Sequence, residues 1–281
     1  MEDRLWEIVV QFVPEDKSPS SFVYSSRAIV AVILWAVLHD RPMCWACRAE
    51  NWPSERRPAR LPDPSTISRR SRTPELLAAR EATQAAIAER LGEPTSTAAI
   101  DGQPYRISDY SRDPDAKNGR AYRRFGRGYK LHAVVDGRGV VLRHEVRPLN
   151  EQERLAAKRL LPSLAPRVRR IFADGNYDSG PIHDCLKGTG RKFYCPLIKN
   201  YVSPDGHPRR KVVHRIMNHP LGERIRVARE HIERQFARMT NLGFGLKGLP
   251  NWARRLHRVE RWISHKILLH HAYLLLRAET A

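Results

Sequence analysis

The chain has 281 residues, and 50 Lys plus Arg against 30 Asp plus Glu give a formal net charge of +20 and a pI near 10.5. That length holds one large domain, or a catalytic domain with a smaller accessory one. The charge calls for a polyanionic partner, and because the basic residues are spread along the chain and not gathered in one block, it favours nucleic acid over an anionic membrane surface.

Leu5, Trp6, Ile8, Val9 and Phe12 recur at helical spacing, and Pro14 with the polar stretch through Ser21 closes this helix. A second helix starts after Tyr24, capped by Ser25 or Ser26, and runs through Val37 to the stop at His39-Asp40-Arg41-Pro42. It contains the longest uninterrupted apolar run, Ala28 to Leu38, whose 11 residues fall short of the roughly 20 that span a bilayer. With no secretory signal pattern either, no membrane association and a cytoplasmic location are expected, on the nucleoid when DNA is bound. Cys44 and Cys47 form a Cys-Trp-Ala-Cys pair, but no second Cys/His pair follows at finger spacing, so reduced structural thiols are expected. Trp45 to Trp52 reads as a short helix, and Asp63-Pro64 as the start of another that ends in Arg69 and Arg70.

These short helices suit a helix-turn-helix module with Ser65, Thr66, Ser68, Arg69, Arg70 and Arg72 facing DNA, or a packing and dimerisation unit with a basic edge. A helix from Pro74 to Leu91 completes an all-helical domain over residues 1–93, and Gly-Glu-Pro-Thr-Ser at 92–96 breaks the pattern.

From residue 94 to 281 the texture is mixed. Thr97 to Asp101 reads as a short strand ending in an acid, and Tyr129–Val135 with Val140–Val146 as a hairpin across Asp136-Gly-Arg-Gly. Between them lies a turn-rich arm, Ser108 to Gly128. It carries Arg112, Lys117, Arg120, Arg123, Arg124 and Arg127, flanked by Arg106 and Lys130, with Tyr110, Tyr122 and Phe125, a composition suited to backbone phosphates and base stacking. Glu151 to Leu164 is helical, Arg169 to Asp174 is a strand ending in a second acid, Asp178 to Lys187 a helix that Asp178 caps, and Lys192 to Leu197 a strand. Asn200 to His219 reads as an irregular basic excursion. A helix from Gly222 to Asn241 and a last amphipathic one through Leu256, Val259, Ile263, Ile267 and Leu274 close the chain.

This order specifies an α/β fold, a mixed sheet flanked by helices, in which acids at strand ends gather at one edge. Asp101 and Asp174 lie side by side if their strands are neighbours. On the 222–241 helix, Arg226, Arg229 and Glu233 share one face beside an apolar stripe of Ile225, Ala228, Ile232, Phe236 and Met239, whereas Glu230 points about 160° away, at roughly 3.6 residues per turn. Glu233 therefore joins the two aspartates. Three carboxylates repel one another, and a divalent cation stabilises all three in the ionised form. All-oxygen ligation favours Mg²⁺ or Mn²⁺, and two such ions suit phosphodiester displacement.

Ile100-Asp101-Gly, Lys130-Leu-His-Ala-Val-Val-Asp136, Phe172-Ala-Asp174-Gly-Asn-Tyr-Asp178 and Arg229-Glu-His-Ile-Glu233-Arg-Gln-Phe236 resemble the signature blocks of DDE transposases from bacterial insertion sequences. The resemblance covers residues 97 to about 250. It implies a ribonuclease H-like catalytic core, metal-dependent cleavage and strand transfer at the element's ends, Asp101, Asp174 and Glu233 as the metal-binding catalytic triad, and double-stranded DNA as partner, with a homodimer in the DNA complex. Arg229 then touches DNA or positions Glu233. Arg226 stands where the family often has Tyr, and Thr240 where Lys is frequent, with Lys247 as a functional substitute. Arg226, Arg234, Lys130, Arg124, Arg69 and Arg70 are the other DNA-contact candidates. A ribonuclease H-like nuclease without strand transfer, and an inactive or domesticated DNA-binding protein, are the alternatives.

Overall fold

The computed structural model describes residues 2–15, 23–122, 124–197, 206–241 and 245–280. Arg123, the 198–205 part of the basic excursion, residues 242–244 and most of the stretch after Pro14 (16–22) lie outside the described residues. The elements in order are α1 (Glu2–Phe12), α2 (Ser26–Leu38), α3 (Met43–Ala46), α4 (Pro64–Arg70), α5 (Pro74–Arg90), β1 (Thr97–Arg106), β2 (Lys117–Ala121), β3 (Arg124–Asp136), β4 (Val141–Pro148), α6 (Glu153–Leu160), β5 (Arg170–Phe172), α7 (Gly180–Cys185), β6 (Lys192–Tyr194), α8 (Pro208–Met217), α9 (Leu221–Asn241) and α10 (Leu256–Glu279). They form two compact units, Met1–Gly92 with Leu242–Ala281, and Glu93–Asn241.

In the helical unit, Ser25 is the serine that caps α2, accepting the Ala28 N–H at 3.1 Å. The apolar circumference of α2 is buried nearly all round. Trp6, Trp35 and Trp52 pack ring to ring, Trp35 on Trp52 at 4.7 Å between centroids, and each indole N–H reaches a main-chain carbonyl. Asp63 caps α4 and Thr73 caps α5, each followed by proline in the first turn, where a missing N–H costs nothing. The segment 45–52 is not one helix: α3 ends at Ala46 and a single 3-10 turn follows at Ala49–Asn51. The four cysteines are free, and burial pushes the Cys47 thiol up to about 11.

The helix α10 departs most from the sequence reading. α10, expected to go with the catalytic part, packs with the N-terminal helices α1, α2 and α5. The central turns of α10, Arg261 to Ala272, are buried all round, polar side chains included, and only its ends expose charged residues. The Lys266 ammonium lies 2.9 Å from Asp40 Oδ1, the Trp262 indole N–H donates to the same oxygen, and Arg261 donates to Ser71 Oγ. Polar residues with partners inside the unit widen the buried face beyond what apolar spacing reveals. No helix among the described residues is long and apolar enough to cross a membrane.

The second unit is the expected mixed sheet flanked by helices. Its order is β2-β3-β1-β5-β6, with β4 also on β3; β1, β2 and β4 run antiparallel to β3, and β1, β5 and β6 are parallel neighbours. One face carries Ala98, Ile100, Val134, Ile171 and Ala173 against Ala157 and Leu160 of α6 and Ile182 of α7. The opposite face meets α9, whose Ile232, Phe236 and Met239 are buried. β1 does not end at Asp101. It pairs with β3 as far as Arg106↔Gly128, where a Cβ on Gly128 would overlap the Tyr105 carbonyl. The arm 108–128 is partly strand: Gly119 and Ala121 are buried between exposed Asn118 and Arg120, a period of two that the charges mask. The segment after 206 is not irregular. Pro208 opens α8, and Val213 and Met217 bury one helical face.

Candidate active site

Parallel register places the two aspartates. Ala99 pairs with Phe172 in the β1–β5 ladder, so two residues on, Asp101 and Asp174 stand at the same level, where β5 ends and β1 continues against β3 alone. Side chains alternate along a strand. Asp101 therefore shares the face of Ala99, and Asp174 that of Phe172, on the side covered by α9. On α9 one turn supplies Arg229, Ile232, Glu233 and Phe236. Together with Ala99, Ile100, Asp101, Ala173 and Asp174 they line a single hollow.

Each carboxylate is oriented locally. Asp101 Oδ1 accepts the Gly102 N–H at 2.7 Å. Asp174 caps a 3-10 turn, Gly175–Tyr177, taking the Asn176 N–H on Oδ1 at 3.0 Å and the Asn176 amide on Oδ2 at 2.9 Å. Glu233 Oε1 accepts from Arg229 Nε at 2.6 Å, an ion pair one turn apart. Glu230 is exposed, as helix phase requires.

The electrostatics are those of crowded acids. Burial, then the charges of Asp174 and Glu233, push the Asp101 carboxyl up to about 7, against the opposing Gly102 hydrogen bond and the Arg229 charge. Burial also raises Asp174, opposed by Asn176 and Arg229. Two half-buried aspartates and a glutamate with a single cation between them are short of positive charge, and their all-oxygen donor set suits a hard divalent ion. As they stand, no three His, Cys, Asp or Glu side chains among the described residues are grouped to hold a metal. Glu233 is engaged with Arg229 instead.

The remaining sequence candidates divide. Arg229 lines the hollow, whereas Arg226 and Arg234 on the same helix are exposed, Arg226 in an ion pair with Glu223 at 2.6 Å. Arg124, Lys247 and Arg69 are exposed. Lys130 and Arg70 are not: Lys130 is buried with its ammonium 2.6 Å from Glu153, and Arg70 is buried with its guanidinium on the Tyr24 carbonyl and Ser26 hydroxyl. Strand alternation turns Lys130 to the α6 face, and Arg70 follows Ile67 on the inward side of α4, so both charges are turned away from solvent. Asp178 does not cap α7; it receives both Nε and Nη2 of Arg210, at 2.9 and 2.6 Å.

Two groups near the site escaped the sequence reading. Glu153 lies close enough to add to the upward shift of Asp174, and only its place at the first turn of α6, after Glu151, hinted at it. His132 is fully buried on β3, with both ring nitrogens without a hydrogen bond among the described residues, and burial, with the neighbouring Lys130 charge, pushes it down to about 4. In the sequence it stands inside the Lys130–Asp136 block, where no role was assigned to it. No curated protein and no solved structure matches the chain. A family model described as Transposase DDE domain matches residues 92–270, well over half of the 281, and the chain belongs to that family.

Proposed function

We propose that this transposase cleaves DNA strands at the ends of an insertion sequence and joins the freed 3′ ends to target DNA, with Asp101, Asp174 and Glu233 as its catalytic carboxylates. The family consists of phosphoryl-transfer enzymes that bind DNA and generally use a divalent metal. The observation that carries the reading is the hollow in which two β-strands in register and one turn of α9 assemble these three acids and Arg229.

Asp101 and Asp174 are the residues to hold Mg²⁺, or Mn²⁺, and Glu233 completes the set when its ion pair with Arg229 gives way. Such a cation, when bound, neutralises charge on the transferring phosphate and activates the attacking oxygen. The chain's own part is placement. The Gly102 and Asn176 donors fix the aspartates, and the β1–β5 ladder fixes their spacing. Arg229, already within 2.6 Å of one carboxylate, exchanges Glu233 for a DNA phosphate, the bidentate partner that a guanidinium suits. Exposed Arg69, Arg124, Arg226, Arg234 and Lys247 contribute the non-specific DNA contacts. A homodimer pairs the two element ends.

The test is product analysis. Purified protein, Mg²⁺ and a plasmid carrying the inverted repeats that flank the coding sequence should yield covalently joined end–target molecules. Cleaved but never joined ends would indicate a nuclease, and binding without cleavage would indicate an inactive remnant.

A further inference from the structure

The β2–β3 turn takes no part in the carboxylate chemistry. Ala121 pairs with Arg124 across a tight turn that opens at Tyr122. Such turns favour Gly, Asn or Asp where φ is positive. Here Tyr122 has φ +56°, a left-handed conformation that L-residues rarely adopt. The ring held this way is not used for packing: Tyr122 is 69% exposed, and Phe125, directly opposite Arg120, is 77% exposed. Arg120 and Arg124 beside them are exposed too. Aromatic faces open to water between arginines are the combination by which proteins hold unpaired nucleic acid, bases stacking on rings and phosphates pairing with guanidinium groups.

The position of the turn matters as much as its composition. Gln103 lies two residues beyond Asp101 on β1, hence on the same face of the sheet and about 7 Å along the strand. Its side-chain amide donates to the Tyr122 hydroxyl at 2.5 Å. The aromatic turn is thereby tied to the strand that carries the first carboxylate, on the face where α9 brings Glu233.

We propose that the β2–β3 hairpin is a base-stacking element, in which Tyr122 and Phe125 take unpaired nucleobases of the DNA beside Asp101 while Arg120 and Arg124 hold the adjoining phosphates. This deepens the transposase reading and rests on it for the neighbouring chemistry. The chemistry is not needed for the test. Fluorescence anisotropy with the full-length protein in chelator compares one labelled oligonucleotide as a single strand and as a duplex. Replacing both rings (Tyr122→Ala with Phe125→Ala) is expected to weaken single-strand binding by about 5- to 100-fold, the range that lost aromatic stacking gives, and to spare the duplex. Arg120→Ala and Arg124→Ala weaken both forms and flatten the salt dependence. Tyr122→Gly removes the ring while relieving the left-handed backbone, and Tyr122→Phe removes only the hydroxyl that Gln103 reaches, so single-strand binding lost in the first and kept in the second assigns the effect to the ring. Equal loss on single strand and duplex, or undiminished single-strand binding in the double variant and in Tyr122→Gly, would overturn the proposal. A wrong carboxylate assignment would show instead as retained cleavage by Asp101→Asn, with single-strand binding untouched.

Discussion

Asp101 is the residue at which burial and charge conflict most openly. Its folded-state value of about 7 lies above the ordinary 3.8, so between those values the folded chain keeps a proton that the unfolded chain has lost. The sign follows: the acid's contribution is neutral near pH 4, and stability falls as pH rises towards 7. A shift of about three units caps the loss at roughly 4 kcal/mol. In chelator, Asp101→Asn should therefore match the parent protein near pH 4 and exceed its urea midpoint near pH 8. An advantage that stays constant across this range would contradict the assigned cause. Lys130 gives a second prediction at this scale. Its buried ion pair with Glu153 means that Lys130→Ala strands a carboxylate, at about 3–5 kcal/mol of stability, while the folded fraction keeps its DNA affinity. Denaturation and binding measured on the same sample separate this from a phosphate contact.

Among the elements, α9 is the one whose phase decides chemistry. Glu230 and Glu233 differ by three positions, yet one is exposed and the other lines the hollow. Glu230→Gln should leave strand cleavage near the parent rate, and Glu233→Gln should lower it by at least about 100-fold, the scale of losing a group that acts on the reacting centre. The α9 phase was legible because Ile232, Phe236 and Met239 mark the buried side so clearly. That Asp101 and Asp174 close strands of one mixed sheet was legible from element order; that the two strands are neighbours was a condition, which the β1–β5 ladder meets. Other features were not. The length of β1 depends on pairing with β3, which no local pattern in Gly102–Arg106 announces. The β2–β3 hairpin hides small inward residues under arginines. Lys130 and Arg70 look like phosphate ligands until a distant Glu153, or the Tyr24 carbonyl, takes them. In α10, Arg261, Trp262 and Lys266 are buried against partners far away in sequence, Ser71 and Asp40, so apolar spacing understated its burial.

For the whole molecule, the charge of +20 sets how DNA binding responds to salt. Half of the excess falls in residues 201–281, by 16 basic against 6 acidic side chains, but Arg261 and Lys266 of that set are buried and do not belong to the binding surface. Duplex affinity should fall linearly on a log–log plot against salt, and each single neutralisation of Arg69, Arg124, Arg226, Arg234 or Lys247 should reduce the slope by about one. Lys266→Met should leave the slope unchanged. A slope insensitive to the exposed arginines would place DNA elsewhere on the molecule.

The central claim is that three acids from two strands and one helix act together on a phosphodiester. It is tested most directly by assaying Asp101→Asn, Asp174→Asn and Glu233→Gln separately for Mg²⁺-dependent cleavage of end-bearing DNA, with duplex binding measured on the same preparations. Loss of cleavage in all three, with binding retained, is the predicted result. Cleavage at the parent rate by any one of them, from protein that binds DNA normally, would contradict the account.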